Sequence, residues 1–304
     1  MTLQPENVTL DAVPAGPNYR FDHVDGHTVV PFELSRNGLF YQVRIGESKP
    51  IWFTLDSGSG ATYLDRDVAK RFGLHPYGTK TVRGAGEGTV KVEVIKDVGF
   101  ELPGLSTWSH EIHTVSFEGW EEQWGRRLDG FFGYDFLERF VVIIDYKAKQ
   151  LTIVDPAHFH YEGPGTAVDL EFQRRLPFVR GTIVVAGQSE DSLFLVDSGS
   201  QDAVDHPLIA KSSDARSTVA GVGLGRETSG TFGRVDRFKL GPFEMEGLFG
   251  VAGKGLGSHL IGGQVLSRFK VILDYQRSKM ILEPQQWSVR MVKIETATNS
   301  AGSS

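Results

Sequence analysis

The sequence predicts an all-β chain built from two similar units, and three observations predict it. The tetrapeptide Asp56-Ser57-Gly58-Ser59 recurs as Asp197-Ser198-Gly199-Ser200, each time at the end of an apolar run, Trp52-Phe53-Thr54-Leu55 and Leu193-Phe194-Leu195-Val196. A longer block, Gly133-Tyr134 through Asp145-Tyr146, recurs without gaps as Gly262-Gly263 through Asp274-Tyr275, sharing Gly, Leu, Arg, Phe, Val, Ile, Asp and Tyr in register. The chain carries 36 glycines, and its Val, Ile, Thr and Phe residues fall in short alternating runs, which suits strands more than helices.

The elements follow in order. Residues 1–20 read as an extended leader, 21–160 as the N-terminal lobe, 161–287 as the C-terminal lobe and 288–304 as a polar, disordered tail. Asp155-Pro156 to Gly163-Pro164-Gly165 is rich in turn formers and marks the connection between lobes. Ile45-Gly46 and Ala186-Gly187 lie at the same offset before their Asp, and both predict a hairpin turn ahead of the Asp strand. Two ordered blocks repeated in the same order indicate two copies of a unit of about 130 residues, an ordinary domain size.

An apolar strand that ends in Asp and a glycine turn puts a carboxylate where burial is costly. Doing so twice suggests two carboxylates brought together, which cannot both ionise comfortably and so hold one proton between them. Such a pair offers a base and an acid at once, the requirement for adding water to an amide. The pair is Asp56 and Asp197. Asp135 aligns with Gln264 and lacks this symmetry, while Asp145 and Asp274 precede polar hairpin tips and read as structural.

These motifs resemble the aspartic peptidases, particularly bacterial retropepsin-like domains, over about residues 38 to 285. Two copies in one chain resemble the bilobal, pepsin-like fold, with two β-barrel-like lobes and a central cleft. The resemblance implies an aspartic endopeptidase whose catalytic residues are Asp56 and Asp197. It implies that Ser57 and Ser198 hydrogen-bond across the lobe interface and that Ser59 and Ser200 donate to the outer carboxylate oxygens. Gly58 and Gly199 allow a tight turn and bring backbone N–H groups to the carboxylates. Gly84, Ala85 and Gly86 match the position of a flap over the substrate, without the tyrosine that pepsins carry there. The partner is then a peptide or protein substrate, and one chain with both Asp residues suffices as a monomer.

Other chemistries are poorly supported. The second glycine-rich segment, Gly221-Val222-Gly223-Leu224-Gly225, and the first both lack a following helix and a Walker lysine. His110/His113 and His158/His160 lack further ligands, so no metal and no cofactor is expected. No Gly-x-Ser-x-Gly elbow surrounds the serines. Trp108, Trp120 and Trp124 read as core, with a cleft wall as the alternative. A net charge of −6 without a basic block argues against nucleic acid, and no apolar run reaches membrane-spanning length. With no cysteine and no N-terminal signal pattern, the compartment stays open between cytoplasmic and secreted or periplasmic after signal removal. The rival function is a non-catalytic or highly selective peptide-binding protein on the same fold.

Overall fold

The computed structural model describes residues 18–84, 88–220, 228–253, 259–285 and 289–291. The chain is all-β: among these residues the strands form three sheets of nine, six and eleven strands, with a few helical segments of four to six residues. Most of the expected leader and tail, as well as Ala85, Gly86 and Gly221–Gly225, lie outside the described residues.

The nine-stranded sheet draws only on the first half of the chain. Its order is Glu33–Ser35, Gly38–Val43, Ile51–Leu55, Gly130–Phe132, Tyr63–Asp65, Leu105–Val115, Val90–Leu102 and Gly78–Val82, with Tyr19–Phe21 also paired to Leu105–Val115. The eleven-stranded sheet lies between Glu171 and Met291 and is centred on Gln188–Val196, which pairs with Leu176–Val185 on one side and His259–Ile261 on the other.

The six-stranded sheet takes strands from both halves. Val141–Asp145 and Phe269–Asp274, the ends of the two repeated blocks, pair antiparallel at its middle with Ile143 opposite Ile272 and Ile144 opposite Val271. Each is flanked by its own hairpin mate, Gln150–Val154 and Lys279–Pro284. Asp145 accepts the Ala148 N–H at 2.8 Å, and Asp274 accepts the Arg277 N–H at 3.1 Å and its guanidinium at 2.9 Å, so both acids brace turns.

Burial alternates along His27–Pro31 at a sheet edge, while Gly130–Phe132 is buried throughout and Gly38–Val43 at all but one position. One contiguous apolar core runs from Val30 to Leu282 and includes the fully buried rings of Phe53, Phe100, Phe132, Phe136, Phe194, Phe238 and Phe269. Each such ring contributes about 2–3 kcal/mol when withdrawn from water, which holds the strands beneath both Asp turns in place. Trp108 and Trp124 are buried, and Trp120 is partly buried against Phe117 and Phe131. Among the described residues no helix is long and apolar enough to cross a membrane.

Candidate active site

Each Asp turn leaves a strand that has a parallel neighbour. Ile51–Leu55 lies beside Gly130–Phe132, and the Asp56 N–H donates to the Phe132 carbonyl at 2.9 Å. Leu193–Val196 lies beside His259–Ile261, and the Asp197 N–H donates to the Ile261 carbonyl, also at 2.9 Å. The neighbouring strands lead directly into Gly133 and Gly262, the first residues of the repeated block. The Tyr134 N–H then donates to the Ser59 carbonyl at 2.9 Å and the Gly263 N–H to the Ser200 carbonyl at 2.8 Å. Both halves of each repeat thus serve one purpose, to fix an Asp turn by its backbone.

The two turns meet face to face. A Cβ placed on Gly58 would lie 2.5 Å from Cγ of Asp197, and one on Gly199 would lie 2.6 Å from Cγ of Asp56. Neither glycine has a positive φ. The motif needs glycine here for close approach, since any side chain would occupy the space of the opposite carboxylate.

Between the turns, Ser57 and Ser198 form a closed set of four hydrogen bonds. The Ser57 N–H donates to Ser198 Oγ at 3.1 Å and the Ser198 N–H to Ser57 Oγ at 2.9 Å. Ser57 Oγ donates to the Val196 carbonyl and Ser198 Oγ to the Leu55 carbonyl, each at 2.7 Å. Both serines are buried, so every donor and acceptor in the set is shielded from water.

The outer serines behave differently from the expectation. Ser59 Oγ donates to the Ala61 carbonyl at 2.8 Å, and Ser200 Oγ accepts from the Asp202 N–H at 3.2 Å. They close their own turns, and backbone N–H groups take the role of carboxylate donors. The Gly199 N–H reaches Asp197 Oδ1 at 2.9 Å, and the N–H groups of Gly58 and Ser59 act on Asp56. Donors fixed in the backbone lose no rotamer freedom, which favours them over hydroxyls in so tight a space.

Both carboxyls are half-buried and in hydrogen-bonding contact with each other. Burial pushes the Asp56 carboxyl well above the usual range, the charge of Asp197 pushes it further, and the Gly58 and Ser59 N–H groups pull it back in part. Burial also raises Asp197, against the opposing N–H groups of Gly199 and Ser200. Both carboxyls are thus raised, and the contact between them lets the pair hold one proton that belongs to both.

Three residues around the pair were not singled out by sequence reasoning. Tyr63 sits close enough to Asp56 that its hydroxyl, already disfavoured from ionising by burial, is pushed up to about 12. Tyr275 is buried, responds to both Asp charges, and has a hydroxyl without a hydrogen-bond partner among the described residues. Its ring contacts Tyr134 at 5.8 Å and Phe172 at 4.8 Å. The signal for Tyr275 was its place in the repeated block; for Tyr63 and Phe172 there was none. Asp135 is held by Thr62 at 2.9 Å and Ser109 at 3.3 Å, a bracing role beneath the first Asp turn.

Gly84 is half-buried at the end of the strand Gly78–Val82 and its hairpin partner Val90–Leu102. Among the described residues no group of three or more His, Asp or Glu side chains could hold a metal ion. In comparison with known proteins, residues 41–136 match the family model described as aspartyl protease, which supports an aspartic-type peptidase. That span contains Asp56, its serine and glycine neighbours and Gly133. No curated protein matches the chain.

Proposed function

We propose that the chain is an aspartic endopeptidase that hydrolyses peptide bonds with water activated between Asp56 and Asp197. The observation that carries the reading is the contact of the two Asp turns, each carboxyl lying against the glycine of the opposite turn. On this reading 21–160 and 161–287 are two lobes of one duplicated, pepsin-like molecule, and the Asp pair lies at their interface.

The chemistry follows from the charge state. Two carboxyls that share one proton present an acceptor and a donor toward the same point. The ionised carboxylate of the pair takes a proton from water as its oxygen attacks the amide carbon, while the protonated carboxyl donates to the developing oxyanion. The tetrahedral intermediate breaks when the nitrogen is protonated and leaves as an amine, and the pair returns to its single-proton state. Ser57 and Ser198 hold the turns, and the N–H groups of Gly58, Ser59 and Gly199 orient the carboxyls. An extended peptide would lie across the pair, held partly by main-chain hydrogen bonds of the β-augmentation kind.

The test is cleavage of a denatured protein mixture between pH 3 and 7 by the wild type, Asp56→Asn and Asp197→Asn. Cleavage by the wild type that falls at least about a thousandfold in each variant is expected. Undiminished cleavage in either variant would sink the mechanism. Peptide capture without cleavage at any pH would replace it with the binding-protein reading.

A further inference from the structure

The two halves each send a two-residue hairpin turn toward the opposite half. In the first, Ser35 pairs with Gly38 and the turn is Arg36-Asn37; in the second, Gln173 pairs with Leu176 and the turn is Arg174-Arg175. All four turn residues have left-handed backbone, with φ of 46° and 66° in the first and 50° and 68° in the second. Such turns favour Asn and Gly, because a longer side chain pays a steric cost there. The first turn accounts for its residues. Arg36 donates to the Glu122 and Gln123 carbonyls, and Asn37 donates to the Gln201 carbonyl at 3.1 Å.

The second turn does not account for its residues in this way. Arg174 and Arg175 are exposed, and neither has a carboxylate or carbonyl partner among the described residues. Glu171, on the same hairpin, pairs instead with Arg180 at 2.9 Å. The Arg174 carbonyl lies 4.0 Å from where a Cβ of Gly60 would be, four residues beyond Asp56. The Arg175 guanidinium lies 5.7 Å from the Tyr134 ring centre, and Tyr134 leads through Tyr275 to the Asp pair. Two arginines in left-handed backbone, without an ion-pair partner among the described residues, therefore sit on a hairpin tip whose backbone reaches Gly60 beside the first Asp turn, and strain without local compensation points to function.

We infer that Arg174 and Arg175 select peptides bearing an Asp or Glu side chain on this side of the Asp pair. The inference rests on the peptidase reading for the position of the peptide and names the substrate class of the same site. The steps from Arg175 to Tyr134 and from Tyr134 to Tyr275 measure 5.7 and 5.8 Å. The planar guanidinium groups suit a carboxylate better than an ammonium would, because they offer two parallel donors.

Two measurements separate the inference from the peptidase reading. Binding of fluorescent octapeptides to Asp56→Asn protein is followed by polarisation, comparing peptides with one Glu against the same peptides with Gln. Cleavage of the Gln peptides by the wild type is measured alongside. Tighter binding of Glu peptides by about fivefold to tenfold is expected. That preference should vanish in Arg174→Gln/Arg175→Gln protein with Gln-peptide affinity unchanged, and shrink at high salt. An equal affinity for Glu and Gln peptides, a preference that survives the double substitution, or no binding of any Glu peptide overturns the inference. Cleavage without the preference leaves the peptidase and removes the arginine role; preference without cleavage does the reverse. Both arginines are exposed, and a thermal melt confirms that the double variant folds.

Discussion

Gly58 lies against the Asp197 carboxyl so closely that an added methyl would stand 2.5 Å from its Cγ. Gly58→Ala is therefore a displacement of the opposite carboxyl rather than a local change. Because a misplacement of about 1 Å at a reacting group costs about a hundredfold in rate, we expect Gly58→Ala and Gly199→Ala each to lower kcat by about a hundredfold or more. Steady-state kinetics on a peptide substrate check this, with a thermal melt to report how much of the fold survives.

Ser57→Ala removes one hydroxyl and orphans two groups, the Ser198 N–H and the Val196 carbonyl. Leaving buried polar groups unpaired costs about 1–3 kcal/mol each, so a loss of about 2–6 kcal/mol in urea unfolding is expected. Ser198→Ala should match it, since it orphans the Ser57 N–H and the Leu55 carbonyl. The double variant should lose less than the sum, because the four bonds form one closed set.

Burial of the Asp pair fixes the sign of a pH effect. With both carboxyls raised in the folded chain, the folded state keeps protons that the unfolded chain has lost above about pH 4. Stability must then fall as pH rises from about 4 through the raised values. Asp56→Asn should unfold at higher urea than the wild type at pH 7 and show little advantage at pH 4. A constant difference across that range would contradict the raised values.

One further buried acid has a large shift of its own. Asp205 has 5% of its surface exposed and, among the described residues, only a 3.4 Å contact from the Gly253 N–H, and burial pushes it up to about 7. By the same sign, Asp205→Asn should stabilise the chain by a few kcal/mol at pH 8 and by almost nothing at pH 4. Its neighbour His206 works in the other direction, because burial, with help from His259, pulls it down to about 4. The unfolded chain takes up a proton there below about pH 6.5 that the folded chain refuses, so His206 costs stability as pH falls from 6.5 toward 4. Unfolding of Asp205→Asn and of His206→Gln across pH 4–8 should show slopes that differ from the wild type in opposite senses.

The β class and the pairing of the Asp turns were legible because both are written as local patterns. Short apolar runs ending in Asp-Ser-Gly-Ser name the strand, the turn and the group it presents, and the Gly133 and Gly262 blocks name what packs beneath. The roles of Ser59 and Ser200 were not legible. Whether a hydroxyl or a backbone N–H reaches a carboxylate depends on a few tenths of an ångström in the turn, and the turn closed on Ala61 and Asp202 instead. Tyr63 and Phe172 were hidden for another reason: Tyr63 is brought to the site by pairing with Phe131 and His113, and Phe172 by the packing of its ring on Tyr134 and Tyr275, all distant in sequence, and neither carries a repeated motif.

The mixed origin of the six-stranded sheet bears on how the chain is made. Val141–Asp145 is covered on one side by Gln150–Val154 as soon as that hairpin emerges, but its other side waits for Phe269–Asp274. At about 5–20 residues per second, the ribosome takes roughly ten seconds to deliver that partner. Throughout that interval the nascent chain offers an open apolar strand edge to any passing polypeptide, a vulnerability that belongs to synthesis and disappears from the finished molecule.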